Sequence, residues 1–370
     1  RTNSFQRIMS DFASLLGNLQ KSADRASSAG PVSTRDDHEG TNPCNSKKRR
    51  RNSDASAEVN DRHFQRERCE RRTRQAGPPR DIRDLSISVS FLCIGAQKAG
   101  TTWLHKMLRR NPRLSLPDQK ELHFWDWNRR KGFGWYSKQF TSTKEHKTCL
   151  NSKQQIHHPP LYGEITPCYA VLPDQDIQEI RGLFPNVRII FLARDLIDRA
   201  WSALLMELRN ANRGVQRGNF TIEDDIDERQ QVKLDQESDP EEYSDDYFMA
   251  QLTNETHTCR SDYASGLRRW LHHFPKEQLL IVDYRELSKD PRETVKQIMT
   301  HIGSSEDDSN RMLDSMEREQ LFNKKINAAT GSTAGKPIRH SLRAKMERYL
   351  NPFAKDFNDL LQELGYNWKL

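Results

Sequence analysis

The residues best suited to chemistry lie in Phe91-Leu-Cys-Ile-Gly-Ala-Gln-Lys-Ala-Gly-Thr-Thr-Trp-Leu104, where an apolar run enters a loop bounded by Gly95 and Gly100. The two glycines have the spacing of a nucleotide-binding loop, G-x-x-x-x-G-K-S/T, whose backbone N–H groups cradle phosphate oxygens at a helix start. The lysine expected after the second glycine is absent. Thr101 and Thr102 stand there instead, and the loop's only lysine, Lys98, sits in its middle. Consecutive N–H groups, one mobile ammonium and two hydroxyls suit a bound phosphate. The displaced lysine does not suit cleavage of a nucleoside triphosphate. The bland alternative is a tight strand–helix turn with incidental glycines.

A second constellation is Phe191-Leu-Ala-Arg-Asp-Leu-Ile-Asp-Arg-Ala-Trp-Ser202. Arg194 follows a buried-strand pattern, and Ser202 lies two turns into the next helical pattern. A guanidinium fork and a hydroxyl arriving from adjacent elements can grip one phosphate dianion. Taken alone, Arg194 could equally pair with Asp195 or Asp198 at the helix start.

These residues need elements to position them. Leu85–Ile94, Val187–Ala193 and Leu279–Tyr284 read as strands, and Thr102–Arg110, Gln175–Phe184, Asp198–Arg209, Tyr263–His273 and Thr294–Ile302 as helices. Leu342–Leu350 and Asn351–Leu364 read as two further helices. Strands alternating with helices predict an α/β fold, a P-loop-like parallel sheet flanked by helices on both faces. Ligands of such sheets sit at the carboxyl ends of the strands, where the loop after Ile94 would be.

The 370-residue chain is 30% charged and only 34% hydrophobic, with a net charge of +7 and a pI near 9.0. A basic balance fits an anionic ligand without naming it. No apolar run approaches the length needed to cross a bilayer. The chain begins at Arg1, so a membrane anchor is expected only outside it. Residues 1–84 are expected to be a disordered basic tail or stem, too polar to offset their ordering entropy. Within it, Lys47–Arg51 is either a polyanion-binding or import patch or, more plainly, a solvated charge run. The folded domain is expected over 85–370, with an acidic insertion at about 210–260. In its densest part, Ile222–Asp246, 12 acidic residues face two basic ones, and we expect an exposed excursion there. Asn219 and Asn254, near the insertion's two ends, begin N-glycosylation sequons. Of six cysteines none form a C-x-x-C pair, so no zinc site is expected. Cys149 and Cys259 could be a disulfide or free thiols.

Together, the loop and the Arg194–Ser202 segment resemble the two cofactor-binding motifs of sulfotransferases that use 3′-phosphoadenosine 5′-phosphosulfate (PAPS). Further similarity lies in Lys120-Glu-Leu-His-Phe-Trp-Asp126 with Gly134-Trp-Tyr136, in Gly163-Glu-Ile-Thr-Pro-Cys-Tyr169, and in Ser261-Asp-Tyr-Ala264. These blocks are similar to heparan sulfate-type and bacterial carbohydrate sulfotransferases. The resemblance implies that Lys98, Ala99, Gly100, Thr101, Thr102 and Trp103 hold the 5′-phosphosulfate. It also implies that Arg194 and Ser202 hold the 3′-phosphate and that Glu121 is the general base, with His123 and His105 as runners-up. It implies PAPS as donor, no metal requirement, a glycan or other hydroxyl or amine acceptor, no nucleic-acid partner and, with the sequons, residence in the Golgi lumen; a cytoplasmic enzyme is the alternative. Three features depart from the heparan sulfate-type pattern. Ile165 replaces a lysine, Leu196 replaces a proline, and the Thr330–Arg339 segment has no flanking cysteines. The resemblance implies the closing-loop role over the cofactor for Lys336 and Arg339. Two rivals remain: a P-loop kinase or NTPase, which needs a lysine where Thr101 stands, and a non-enzymatic polyanion-binding protein working through its basic residues.

Overall fold

The structure, a computed structural model, describes residues 82–141, 160–212, 239–323 and 336–370. The tail before residue 82 with its Lys47–Arg51 run, Cys149, Asn219 and the acidic stretch up to residue 238 lie outside the described residues.

Strand β1 (Val89–Gly95) is buried at every position but one, as its apolar run requires. The chain then forms α1 (Thr101–Leu108), the short β2 (Leu114–Ser115), α2 (Gly132–Thr141) and β3 (Leu161–Ile165). It continues through α3 (Asp174–Leu183), β4 (Arg188–Ala193) and α4 (Leu196–Asn212). Three consecutive helices follow: α5 (Asp245–Leu252), α6 (Glu255–Ser261) and α7 (Tyr263–His273). Strand β5 (Leu279–Asp283) and helices α8 (Tyr284–Lys289), α9 (Pro291–His301), α10 (Glu306–Arg318) and α11 (His340–Leu364) complete the described residues. The first strand begins four residues later than the alternation at Leu85 implies. The Ser86 N–H is taken by the Ser137 hydroxyl at 3.1 Å.

All strand pairings are parallel, in the order β2-β3-β1-β4-β5. This order places a topological switch between β1 and β4. From β1 the chain departs toward the β2 edge, and from β4 toward the β5 edge. The loops leaving these neighbouring strands therefore diverge and open a crevice at their carboxyl ends, where ligands of such sheets bind. The phosphate-type loop leaves β1 there, and Arg194 leaves β4 there.

Helix α7 shows how the flanking layer is fixed. Tyr263, Ala264, Gly266, Leu267 and Trp270 are buried along one face, and the Trp270 indole donates to the Tyr169 carbonyl at 3.0 Å. The α11 segment is one helix rather than two, despite Pro352 inside it. Leu342, Met346, Leu350, Phe357, Leu360 and Leu361 are all buried along it. Burying an apolar side chain is worth about 1.5–3 kcal/mol, so this stripe outweighs the roughly 3 kcal/mol cost of an interior proline.

The described end of the acidic stretch, residues 239–246, is accessible at every position but Pro240, and buried positions resume just beyond it. Asp245 and Asp246 open α5, where acidic side chains complement the helix dipole. Phe248 and Leu252 on α5 and His257 and Ser261 on α6 are buried. Asn254 is exposed, and its side chain caps α6 by accepting from the His257 N–H at 3.1 Å.

Asp290 caps α9 by accepting from the Glu293 N–H at 3.0 Å, ahead of Pro291 at the first helical position. Replacing it with alanine leaves that donor unsatisfied. We expect Asp290→Ala to cost about 1 kcal/mol, read as a lowered midpoint in urea unfolding with an unchanged slope. An unchanged midpoint would show that the cap contributes nothing.

Candidate active site

The loop after β1 makes a tight turn in which the Ala99 N–H donates to the Ala96 carbonyl at 3.2 Å. Lys98 and Gly100 both adopt left-handed backbone conformations, at φ of 66° and 82°. Gly100 is required twice over: a Cβ there would be strained by the positive φ and would lie 2.8 Å from the Leu287 side chain. Helix α1 starts directly from it, with no side-chain cap. The N–H groups of its first turn are thus left for a ligand, on the positive end of the helix dipole. Ala99, Thr101 and Trp103 are buried, whereas Lys98, Gly100 and Thr102 are partly accessible. The Lys98 ammonium reaches Met206 of α4, 3.7 Å from the sulfur, so it leans across the crevice.

Arg194 is brought onto this loop. Its Nη1 donates to the Lys98 carbonyl at 2.8 Å, and its guanidinium lies 4.9 Å from the centre of the Tyr284 ring. Its Nε is buried and has no protein partner. It pairs with neither Asp195 nor Asp198: Asp195 instead accepts from the N–H groups of Ile197 and Asp198, each at 3.0 Å. Ser202 lies on α4, partly accessible, roughly 9 Å along the axis from the helix start. The neighbouring Trp201 indole donates to the Lys336 carbonyl at 2.9 Å. The charges of Lys336 and Arg339 are turned elsewhere. Lys336 pairs with Asp239 at 3.2 Å, and Arg339 binds Asp245 at 2.8 Å and the Tyr243 carbonyl. In this arrangement they brace the insertion against the start of α11.

Glu121 stands at the same edge of the sheet, because its N–H donates to the carbonyl of Ile165, the last residue of β3. Glu121 and His123 both have positive φ, 65° and 49°. Two non-glycine residues so close together in this region mark a strained segment. The Glu121 carboxylate pairs with the Lys120 ammonium and lies 3.5 Å from His123 Nε2. His123 Nδ1 meets the Asp126 carboxylate at 2.8 Å. Burial pushes the Glu121 pKa up, but Lys120 and His123 outweigh it and hold the pKa at about 2. Burial also opposes the His123 imidazolium, yet its hydrogen bonds to Asp126 and Glu121 raise its pKa to about 10. At neutral pH, therefore, Glu121 is a carboxylate and His123 is already protonated and cannot take a proton. His105 is buried, with its Nε2 3.2 Å from the Pro117 carbonyl. Desolvation lowers its pKa to about 4, so it is neutral at pH 7.

One buried group escaped the sequence reading. Glu164 lies on β3 with 1% of its surface exposed. It accepts from Tyr136 at 2.6 Å, from Thr166 at 3.0 Å and from Tyr169 at 3.2 Å. Burial raises its pKa to about 7, against the pull of those three hydroxyls. The Tyr169 oxygen in turn accepts from the Phe124 and Trp125 N–H groups at 2.9 and 3.3 Å. Glu164 thus anchors the strained 121–127 segment to β3. A lone glutamate inside Leu-Tyr-Gly-Glu-Ile was the available signal, since a carboxylate in an apolar strand needs partners.

The loop after β1, the start of α1 and Arg194 thus meet at the switch of a parallel sheet, with Glu121 at the same sheet edge. The sulfotransferase domain matches residues 89–364, and the chain belongs to that family. It is 22% identical over 268 residues to the membrane-associated sulfotransferase kil1 of Dictyostelium discoideum, covering 56% of this chain and 55% of that protein. It is 27% identical over 221 residues to the human bifunctional heparan sulfate N-deacetylase/N-sulfotransferase 2, covering 58% of this chain but 22% of that one. The chain thus spans about half or less of the length of these relatives. Among solved structures, a sulfotransferase from Alicyclobacillus acidocaldarius aligns with a TM-score of 0.45 at 18% identity, over 75% of this chain and 96% of that one.

The raised pKa of Glu164 has a definite sign. A carboxyl with a folded pKa near 7 and an unfolded value near 4.5 binds protons more tightly when folded. Its contribution is fully present below pH 4.5 and is lost as pH rises through 7. We expect the stability difference between the native protein and Glu164→Gln to shift in favour of the variant across that interval, measured as unfolding midpoints from pH 4.5 to 8. A constant difference would show that Glu164 does not titrate there.

Proposed function

We propose that this chain transfers a sulfuryl group from PAPS to a hydroxyl or amine of a carbohydrate acceptor. The observation that carries this reading is the Arg194–Lys98 carbonyl contact. It joins the two anion-binding segments across the switch crevice and leaves Arg194 Nε buried without a partner. A second phosphate beside the loop would satisfy that donor, as PAPS with its separate 5′ and 3′ groups requires. In this reading Lys98 to Trp103 surround the phosphosulfate, and Arg194 and Ser202 hold the 3′-phosphate. The closing-loop part earlier assigned to Lys336 and Arg339 would need both to leave their acidic partners.

The acceptor oxygen or nitrogen attacks sulfur as the bond from sulfur to the 5′-phosphate oxygen breaks. That oxygen keeps the electron pair, and the charge it gains is offset by the Lys98 ammonium and the α1 N–H groups. The acceptor's proton passes to Glu121. A carboxylate with a pKa near 2 is a weak base. The transfer therefore follows sulfuryl bond formation, which acidifies the attacking group. Charge neutralisation by side chains and backbone calls for no metal. Kinship with heparan sulfate sulfotransferases supports a glycan acceptor, and the exposed Asn254 sequon supports residence in the secretory lumen. No helix among the described residues is long and apolar enough to cross a membrane.

Labelled sulfate transfer from PAPS to a glycan panel, with calorimetric binding of 3′-phosphoadenosine 5′-phosphate (PAP), tests the reading. Losing a charge-assisted contact worth about 1.5–3 kcal/mol should weaken PAP binding roughly 10- to 100-fold in Lys98→Ala and Arg194→Ala. Absence of PAP binding by the native protein would end the proposal, and ATP hydrolysis with Mg²⁺ would replace it with the kinase reading.

A separate expectation concerns pH. Removing the ammonium in Lys120→Met lets the Glu121 pKa rise, so the acid limb of kcat/KM should move to higher pH. An unmoved limb would remove Glu121 as the base.

A further inference from the structure

The first residue of α3 and the last two of α7 bring three metal-ligating side chains together. His273 Nε2 lies 2.8 Å from the Asp174 carboxylate. The His272 ring stands edge-on to the His273 ring, with centroids 4.9 Å apart and planes at 85°. One ligand atom from each of Asp174, His272 and His273 lies within 4.8 Å of the other two. Asp174 and His272 are exposed, so water and ions reach the cluster, while His273 is partly buried. A histidine–carboxylate pair tying two helices would account for His273 and Asp174. It leaves out His272, whose ring makes one contact among the described residues, with His273.

Two imidazoles and one carboxylate are a ligand set for transition metals of the zinc type, whereas magnesium and calcium take oxygen ligands. Zinc ligands held at about 2.0–2.1 Å in a tetrahedron stand roughly 3.3 Å from one another. His273 and Asp174 already lie within that separation, and rotation of the exposed His272 ring brings in the third ligand. The ion takes the place of the hydrogen between Nε2 and the carboxylate, and water fills the open position. The carbonyl end of α7 is the negative end of its helix dipole, which favours a cation there.

We propose that Asp174, His272 and His273 form a site for one divalent transition metal of the zinc type, and that the metal staples α7 to α3. Helix α7 already holds the chain leading into α3 through Trp270, which donates to the Tyr169 carbonyl, and Arg269, whose Nε donates to the Leu172 carbonyl at 3.1 Å. The metal adds a further tie in this series, at Asp174. None of the three ligands is assigned to donor or acceptor, so the site stands apart from sulfuryl transfer. Cysteine spacing gave no sign of it, because it uses no cysteine and 99 residues separate Asp174 from His273.

Calorimetric zinc titration of the chelator-stripped full chain, with urea unfolding in the presence and absence of zinc, tests the site. The native protein should bind zinc, and its unfolding midpoint should rise as zinc is added, since a ligand of the folded state stabilises it. Losing even an outer partner of a metal ligand costs about 10–100-fold in affinity, so His272→Ala and Asp174→Asn should each weaken this binding at least tenfold. Both should also cancel the zinc-dependent rise, and the metal-free midpoint of each variant reports whether it is folded. Magnesium at the same concentration should give no rise. Failure of the native protein to bind zinc would overturn the site, as would an equal rise with magnesium. Binding and a midpoint rise that survive in both variants belong to another part of the chain and would overturn it too.

Discussion

The contact between the Arg194 guanidinium and the Lys98 carbonyl organises this molecule's chemistry. It can form only because β1 and β4 are parallel neighbours whose following loops diverge. The carbonyl orients one side of the guanidinium, Tyr284 lies against its face, and the Tyr263 hydroxyl donates to the Arg194 carbonyl at 3.1 Å. A side chain held by the carbonyl and the ring, on a backbone held by Tyr263, has lost much of its rotamer entropy before any ligand arrives. Its remaining donors are preorganised, so that the anion proposed for them would bind without that cost. Lys98 supplies both the carbonyl that positions Arg194 and an ammonium of its own, from a backbone in an unfavourable left-handed conformation.

The side proposed for the acceptor is built on a different principle. There the local charges are side chains in close succession, Lys120, Glu121, His123 and Asp126, and they balance to zero at neutral pH. Each would be costly to bury alone, and each is tolerated because its neighbour carries the opposite sign. The same pairing stabilises Glu121 as an ion and weakens it as a base. This trade suits a reaction in which the acceptor becomes more acidic as the sulfuryl group arrives. A stronger base would have to be less well paired, and so less stable at a buried position.

The sheet and most helices were legible because their signals are local. Apolar runs marked β1, β4 and β5, and helix α7 is where its periodicity put it, Tyr263–His273. The two-residue β2 and the five-residue β3 were missed. Leu-Tyr-Gly-Glu-Ile has too few apolar residues to read as buried, and its burial comes from the neighbours on either side. Pro352 read as a break because the cost of an interior proline is local, whereas the apolar stripe that offsets it is long-range. The site divides in the same way. Lys98 and Arg194 could be named from spacing, since glycine and strand-end positions constrain the backbone. Their contact spans 96 residues, and no periodicity reports it. Lys336 and Arg339 looked like cations waiting for a phosphate. Their actual partners, Asp239 and Asp245, lie nearly a hundred residues away in a segment that composition alone suggested was exposed.

The two halves of the site are therefore held by different parts of the fold. The donor half is backbone geometry at the switch, where Gly100 cannot carry a Cβ without meeting Leu287 and Tyr284. The acceptor half hangs on one buried carboxyl, Glu164, acting through Tyr169 on the N–H groups of Phe124 and Trp125. A change in the loop after β1 disturbs strand, helix and cradle together. The constraints on the loop after β1 are those of the fold itself, whereas the 121–127 segment carries side chains that the fold only anchors.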